Sequence, residues 1–179
     1  MKILYLILAR KGSKRLINKN LLKINKKPLI ELTINFVKKI APRNNIIFST
    51  DSRIMLNIAN KLGINTPWLR PKKFSLDGSS SFDASLHAIK WFENKFFKID
   101  AIALFQPTSP FRSKEHFIKA LEKFKKNSNH LFSYLDLATT ASGAKILILY
   151  KGVSGSSSVG NLRPMTRNSR NGPFAFIFT

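Results

Sequence analysis

Cysteine is absent from this 179-residue chain. That rules out disulfides and thiolate metal sites and suits a reducing compartment, so a cytoplasmic protein is expected. Acidic residues are scarce as well: 9 Asp and Glu stand against 31 Lys and Arg, a formal net charge of +22. No acid follows Asp136. No apolar stretch approaches the roughly 18 residues that a membrane-spanning helix needs, so no membrane partner is expected. The apolar run after Lys2 is short for a secretory leader and lacks a small-residue cleavage site. Two phosphate-binding spellings are missing, since neither G-x-x-x-x-G-K-[ST] nor G-x-G-x-x-G occurs. An aromatic stacking platform, a basic helix and a helix-turn-helix pattern are also missing, which makes nucleic acid an unfavoured partner despite the charge.

What is present is an ordinary globular composition, with 44% hydrophobic residues and a mean hydropathy of −0.10. A field of this sign attracts nucleic acid, anionic lipid or phosphorylated small molecules. Lysine nevertheless recurs along every segment instead of forming one stripe, so compositional drift explains most of the excess. Apolar runs at residues 2–8, 45–51 and 101–106 read as strands buried on both faces. Helical patterns alternate with them. One runs from Pro28 to 41 with Leu29, Ile30, Ile34, Val37 and Ile40 inward, and a second from Arg53 to Leu62 is stopped by Gly63. A third covers 82–97 with Phe82, Leu86, Ile89, Phe92 and Phe96 inward, and a fourth, 114–126, carries Glu115 in its first turn. "LFSYL", "SGAKILILYKG" and "FAFIF" are further strand-like runs, and "VSGSSSVGN" reads as a flexible low-complexity stretch.

Strand alternating with helix implies an α/β fold, a mostly parallel sheet with helices on both faces. Residues 1–136 form the expected nucleotide-binding core, and 137–179 a divergent, partly flexible segment. Ligands of such sheets bind beyond the carboxyl ends of the strands. The unusual segments "ARKGSKR", "STD" and "QPTSPFR" all fall there. In the first, Gly12 permits close backbone approach, Ser13 offers a hydroxyl and an amide, and Arg10, Lys14 and Lys19 neutralise charge, as a phosphate chain requires. A solvated basic loop is the competing reading. Asp51 and Asp77 read as turn residues, Trp68 and Trp91 as packing groups, and His87, His116 and His130 are too scattered for a shared catalytic role. Serines 79–81 also stand where a helix cap belongs.

The wording of these segments is more specific than their charge. "ILARKGSKRLINKNLLKINKKPLIELTI", "STDS", "LRPKKFSLDGSSSFDASLHAI" and "LFQPTSPFR" occur in this order. Together they resemble the acylneuraminate cytidylyltransferases, or CMP-sialic acid synthetases, over residues 3–125. The resemblance implies a Rossmann-like three-layer nucleotide-diphospho-sugar transferase fold. It implies transfer of CMP from CTP to a nine-carbon α-keto sugar acid with release of pyrophosphate, Mg²⁺ as cofactor, and a homodimer formed through the middle region. Carried over by motif position, Arg10, Lys14 and Lys19 are the catalytic candidates, with Lys14 facing the leaving group. Ala9, Arg10, Gly12, Ser13, Asn20, Arg70, Ser79 and Ser81 would hold the nucleotide, and Arg70 would face O2 and N3 of the cytosine. Gln106, Lys145 and, from "SRNGPFAFIFT", Arg170 would meet the sugar acid.

Lys11 stands where many members of the family have glycine. Members also continue through a helical segment with a D-x-D pair that coordinates Mg²⁺. This sequence ends at Thr179 without one, so a chain shortened at its C-terminal end is expected, with the Mg²⁺ ligands unidentified. Sialic, legionaminic and pseudaminic acids fit equally. A family member that only binds CTP, or a basic protein binding nucleic acid through charge alone, are the alternatives.

Overall fold

The computed structural model describes residues 1–12, 16–76, 78–127 and 147–150. Strands β1 (Ile3–Leu8), β4 (Ile46–Ser49) and β5 (Ala101–Phe105) are buried at every position. This is why their sequences are apolar runs instead of alternations. Between β1 and β4 lie a two-residue hairpin, β2 (Lys23–Ile24) and β3 (Lys27–Pro28), and helix α1 (Leu29–Ile40). Helices α2 (Arg53–Lys61) and α3 (Ser81–Lys95) follow β4. Helix α4 (Lys114–Asn127) follows β5, and β6 (Leu147–Tyr150) lies beyond it. The main sheet has the order β4-β1-β5-β6. β1 runs parallel to β4 and β5, and β6 is antiparallel to β5, outermost among the described strands.

The period-2 alternation along β1 divides the core between two faces. Tyr5 and Ile7 point into one cluster with Ile30, Ile34 and Val37 of α1, Met55 and Ala59 of α2, and Phe117, Ala120 and Phe124 of α4. Leu4, Leu6 and Leu8 point into the other with Ala84, Ala88, Ile89 and Phe92 of α3. The expected mostly parallel sheet covered on both faces is therefore the observed one. Among the described residues no helix is long and apolar enough to cross a membrane.

The expected strand within "SGAKILILYKG" is β6, and those in "LFSYL" and "FAFIF" lie outside the described residues. One inward assignment is corrected. Phe96 is 56% exposed, while Phe97 packs on the second cluster and meets Phe92 edge-on at 5.3 Å. The helix ends at Lys95, and Phe96, its cap, leaves helical geometry at φ −126°, ψ −89°. Beyond that point a 3.6-residue period no longer says which side chain faces in. Gly63 ends α2 as read from the sequence: its φ is +81°. Its amide donates to Asn60 O at 2.9 Å, and the Ile64 amide donates to Ala59 O at 2.9 Å, the paired bonds of a Schellman cap.

Candidate active site

Parallel strands end on one side of a sheet, so the loops after β1, β4 and β5 must meet there. On that side lies a cleft of about 320 Å³ lined by residues from 8–20 after β1, from 70–84 between α2 and the first turn of α3, and from 106–108 after β5. Arg10, Gly12, Lys19, Asn20, Arg70, Ser79, Ser81 and Gln106 all line it. The structure thus gathers most of the sequence-derived candidates into one space, although they span nearly a hundred positions. Ser13, Lys14, Lys145 and Arg170 lie outside the described residues. Ala9 is buried beneath the loop, its amide donating to Ser49 O at 3.1 Å. Three cations and no carboxylate are among the described lining residues, a lining that favours an anion.

The basic loop is anchored from neighbouring elements. The Lys11 amide donates to Asp51 Oδ1 at 2.7 Å, which gives Asp51 the turn role expected of it. Arg10 Nη1 reaches Leu76 O at 3.5 Å across the mouth of the cleft. Lys19 and Asn20 begin a single 3-10 turn whose preceding residue, Asn18, takes the left-handed conformation at φ 53°, one that asparagine tolerates better than most residues.

Asn20 is 8% exposed. Its Nδ2 donates to Arg10 O at 3.0 Å. A carbonyl only accepts, so the amide nitrogen must face it, which fixes the direction of Oδ1. Oδ1 is shielded from solvent and has no hydrogen-bond partner among the described residues. An acceptor in this position suits a donor brought by a ligand.

Arg70 is held inside the fold by its own hydrogen bonds. It is 5% exposed, its amide donates to Thr50 O at 2.7 Å, and its Nε donates to Ser49 Oγ at 3.0 Å. Nη2 also donates to Ser49 O. Two of its five N–H groups are engaged in this way, and Nη1 makes no hydrogen bond among the described residues, which leaves it for a base edge. Burial lowers the guanidinium pKa from 12.5 to about 10; Asp51 opposes that fall and Arg10 adds to it. Arg70 therefore stays charged at neutral pH.

The serine segment has a divided role. Ser80 caps α3: its Oγ accepts from the Asp83 amide at 3.1 Å and donates to Asp83 Oδ2 at 2.8 Å. Ser79 Oγ donates to Lys73 O at 2.7 Å, holding the preceding turn. Sequence reasoning missed Ser80, Phe74, Leu76 and Thr108 as lining residues. The one available signal was the pair of apolar residues inside an otherwise polar turn, Phe74 and Leu76. Trp68 and Trp91 pack edge-on at 5.9 Å against the second core cluster, as expected of packing groups.

For Mg²⁺ the described residues do not fit. No group of three or more His, Cys, Asp or Glu that could hold a metal occurs among them. Asp51, at the nearest strand end, is engaged by the Lys11 amide.

A family model for cytidylyltransferases matches residues 4–170. The chain belongs to the cytidylyltransferase family. It is 37% identical over 122 residues to the CMP-N,N'-diacetyllegionaminic acid synthase of Legionella pneumophila, covering 68% of this chain and 53% of that protein. It is 37% identical over 123 residues to the N-acylneuraminate cytidylyltransferase of Escherichia coli O18:K1:H7, covering 69% of this chain and 28% of that one. To the pseudaminic acid cytidylyltransferase of Campylobacter jejuni it is 34% identical over 134 residues, 74% of this chain and 58% of the relative. The matches thus extend over between about a quarter and three-fifths of these relatives' lengths.

Two solved structures have the same fold. A cytidylyltransferase from Leptospira borgpetersenii superposes with a TM-score of 0.63 at 21% identity, over 84% of this chain and 60% of that one. A CMP:2-keto-3-deoxy-manno-octonic acid synthetase complexed with CTP superposes with a TM-score of 0.58 at 20% identity, over 75% and 52%.

Proposed function

We propose that this cytidylyltransferase-family chain transfers CMP from CTP to a nine-carbon α-keto sugar acid and releases pyrophosphate. The observation that carries the reading is the buried, unpartnered Asn20 Oδ1 in the wall of a cleft whose described charges are all positive. Cytidine brings hydroxyl and amino donors for the first feature, and the triphosphate brings the anion for the second.

In this reaction the anomeric hydroxyl of the acid attacks the α-phosphorus and loses its proton. The bond to the oxygen bridging toward the β-phosphorus breaks, and that oxygen leaves with pyrophosphate. Arg10 and Lys19, with Lys14, offset the phosphate charge, which is greatest on the leaving group. Ala9, Gly12 and Ser13 supply the backbone of the loop around the phosphates. Arg70, Ser79 and Ser81 border the cytidine. Gln106, held in a turn with prolines on either side of Thr108-Ser109, faces the acceptor, and Lys145 and Arg170 are the proposed partners of its carboxylate. Mg²⁺ is proposed as a requirement of turnover without described protein ligands, and a homodimer in the cytoplasm as the working form.

Calorimetric titration with CTP, UTP, ATP and a short oligonucleotide at two salt concentrations is the first test. A preference for CTP that survives higher salt, followed by pyrophosphate release with N-acetylneuraminic, legionaminic or pseudaminic acid, is the expected result. Equal binding to every anion that collapses with salt would replace this reading with simple charge attraction. CTP binding without pyrophosphate release from any acid would reduce it to nucleotide binding alone.

A further inference from the structure

Arg112 ends the "QPTSPFR" segment and does not line the cleft. Its guanidinium is nonetheless buried. Nη2 donates to Gln106 O at 2.6 Å, and the guanidinium carbon lies 5.6 Å from the centroid of the Phe105 ring. Nε and Nη1 are shielded from solvent and have no hydrogen-bond partner among the described residues. Burial lowers its pKa from 12.5 to about 10, which leaves it protonated at neutral pH. A shielded cation with one carbonyl acceptor is expensive to keep. Packing alone does not explain it, because an apolar side chain would fill the same space without that cost.

The bond that remains falls at one particular place. Gln106 O also accepts from the Ser109 amide at 3.3 Å, so this carbonyl is the pivot of the turn. Pro107 restricts Gln106 to extended conformations, but neither proline supplies an amide that could hold the Gln106 peptide plane. Beside the Ser109 amide, Arg112 supplies a second and shorter hold and ties it to the core. Phe105, under the guanidinium, stacks with Tyr5 at 6.4 Å and meets Phe117 at 6.0 Å. Once the Gln106 carbonyl is fixed, the direction of the Cα–Cβ bond from which its side chain starts is restricted with it, and Gln106 is part of the cleft lining.

We propose that Arg112 is a positioning residue for the acceptor side of the cleft, acting through the Gln106 carbonyl to keep the Gln106 side chain directed at the sugar acid. This rests on the transfer reaction proposed above, with Gln106 as the acceptor contact. A purely architectural arginine would weaken nucleotide and acceptor binding together. A positioning arginine affects the acceptor alone, and its effect disappears once Gln106 is gone.

The test uses the full chain with Arg112→Leu, Arg112→Lys, Gln106→Ala and the Arg112→Leu/Gln106→Ala double variant. The measurements are pyrophosphate release against N-acetylneuraminic, legionaminic and pseudaminic acids, calorimetric CTP affinity, and hydrogen exchange of the amides in residues 106–113. Arg112→Leu is expected to raise the KM for the acid about tenfold with a smaller change in kcat, as a displaced positioning group does. CTP affinity should stay within about twofold in the same variant. Exchange across 106–113 should quicken. Arg112→Lys should recover part of the loss, because an ammonium can still donate to the carbonyl. The double variant should be no worse than Gln106→Ala.

Additive losses in the double variant, or a parallel loss of CTP affinity, would overturn the inference. If Arg112→Leu does not fold, Arg112→Lys carries the same comparison, with a smaller KM rise expected and no rise overturning it. If the unaltered chain binds CTP but turns over no acid, the reaction fails. Hydrogen exchange then still decides whether Arg112 holds the turn, and unchanged exchange in the folded variants overturns that independently.

Discussion

Replacing Arg70 by methionine should separate what this residue does for the ligand from what it does for the fold. In the folded chain its guanidinium pKa falls from 12.5 to about 10, chiefly through burial. At about 1.4 kcal/mol per pH unit, that is a cost of roughly 3 kcal/mol for keeping the charge there. Against it stand two hydrogen bonds, to Ser49 Oγ and Ser49 O, each worth about 1.5–3 kcal/mol with a charged donor. Methionine removes both the cost and the bonds while filling most of the volume. Ser49 O keeps the Ala9 amide as a donor, so only the serine hydroxyl loses its partner. The Arg70 amide still bonds Thr50 O.

The net destabilisation should be about 1–2 kcal/mol, or a Tm lowered by roughly 2–8 °C for a chain of this size. If Nη1 meets the base, loss of one charged bond should weaken CTP binding by about 10- to 100-fold. Thermal melting and CTP calorimetry on the same preparation read both quantities. A variant that melts slightly lower and still binds CTP like the unaltered chain would refute the nucleotide role. A Tm lowered by more than about 15 °C would refute the energetic argument, because the Ser49 bonds would then outweigh the desolvation by far more than their number allows.

Three further outcomes follow from local geometry. The His87 pKa is lowered by burial first and then by Arg70 and Lys73. Its neutral form therefore supports the fold above the ordinary value of 6.5, and that support is lost as pH falls through the folded value. Tm should drop on acidification from neutral pH more steeply than in His87→Phe, and equal slopes would remove His87 as the cause. Ser80→Ala deletes the α3 cap and should cost about 1 kcal/mol, measured by denaturant melting. An unchanged midpoint would mean Ser79 or Ser81 takes over. Gly63→Ala forces a side chain onto a φ of +81° and should destabilise by about 1–2 kcal/mol without altering CTP affinity, since Gly63 is not among the residues that line the cleft.

The alternation of strand and helix was legible because local chemistry enforces it. β1, β4 and β5 are buried throughout, so each is a short apolar run. Pro28 starts α1 and Gly63 stops α2 through backbone conformations that no packing is needed to impose. The order of four spelled segments also determined the family, and with it which residues to look for at the strand ends. The exit of α3 was not legible, because the exchange of Phe96 for Phe97 depends on where the helix releases the chain.

Only the tertiary structure decided how the candidates are held. Arg70 meets Ser49 across 21 positions, and the Lys11 amide meets Asp51 across 40. The Asn20 Oδ1 that no described residue meets belongs to a cleft built from three separate segments, and the shielded Arg112 guanidinium belongs to the turn packed on Phe105; no local pattern encodes either. The physical reason is the parallel sheet. Its crossovers bring the carboxyl ends of distant strands together, so the residues that share a charge or a hydrogen bond there are seldom neighbours in the chain.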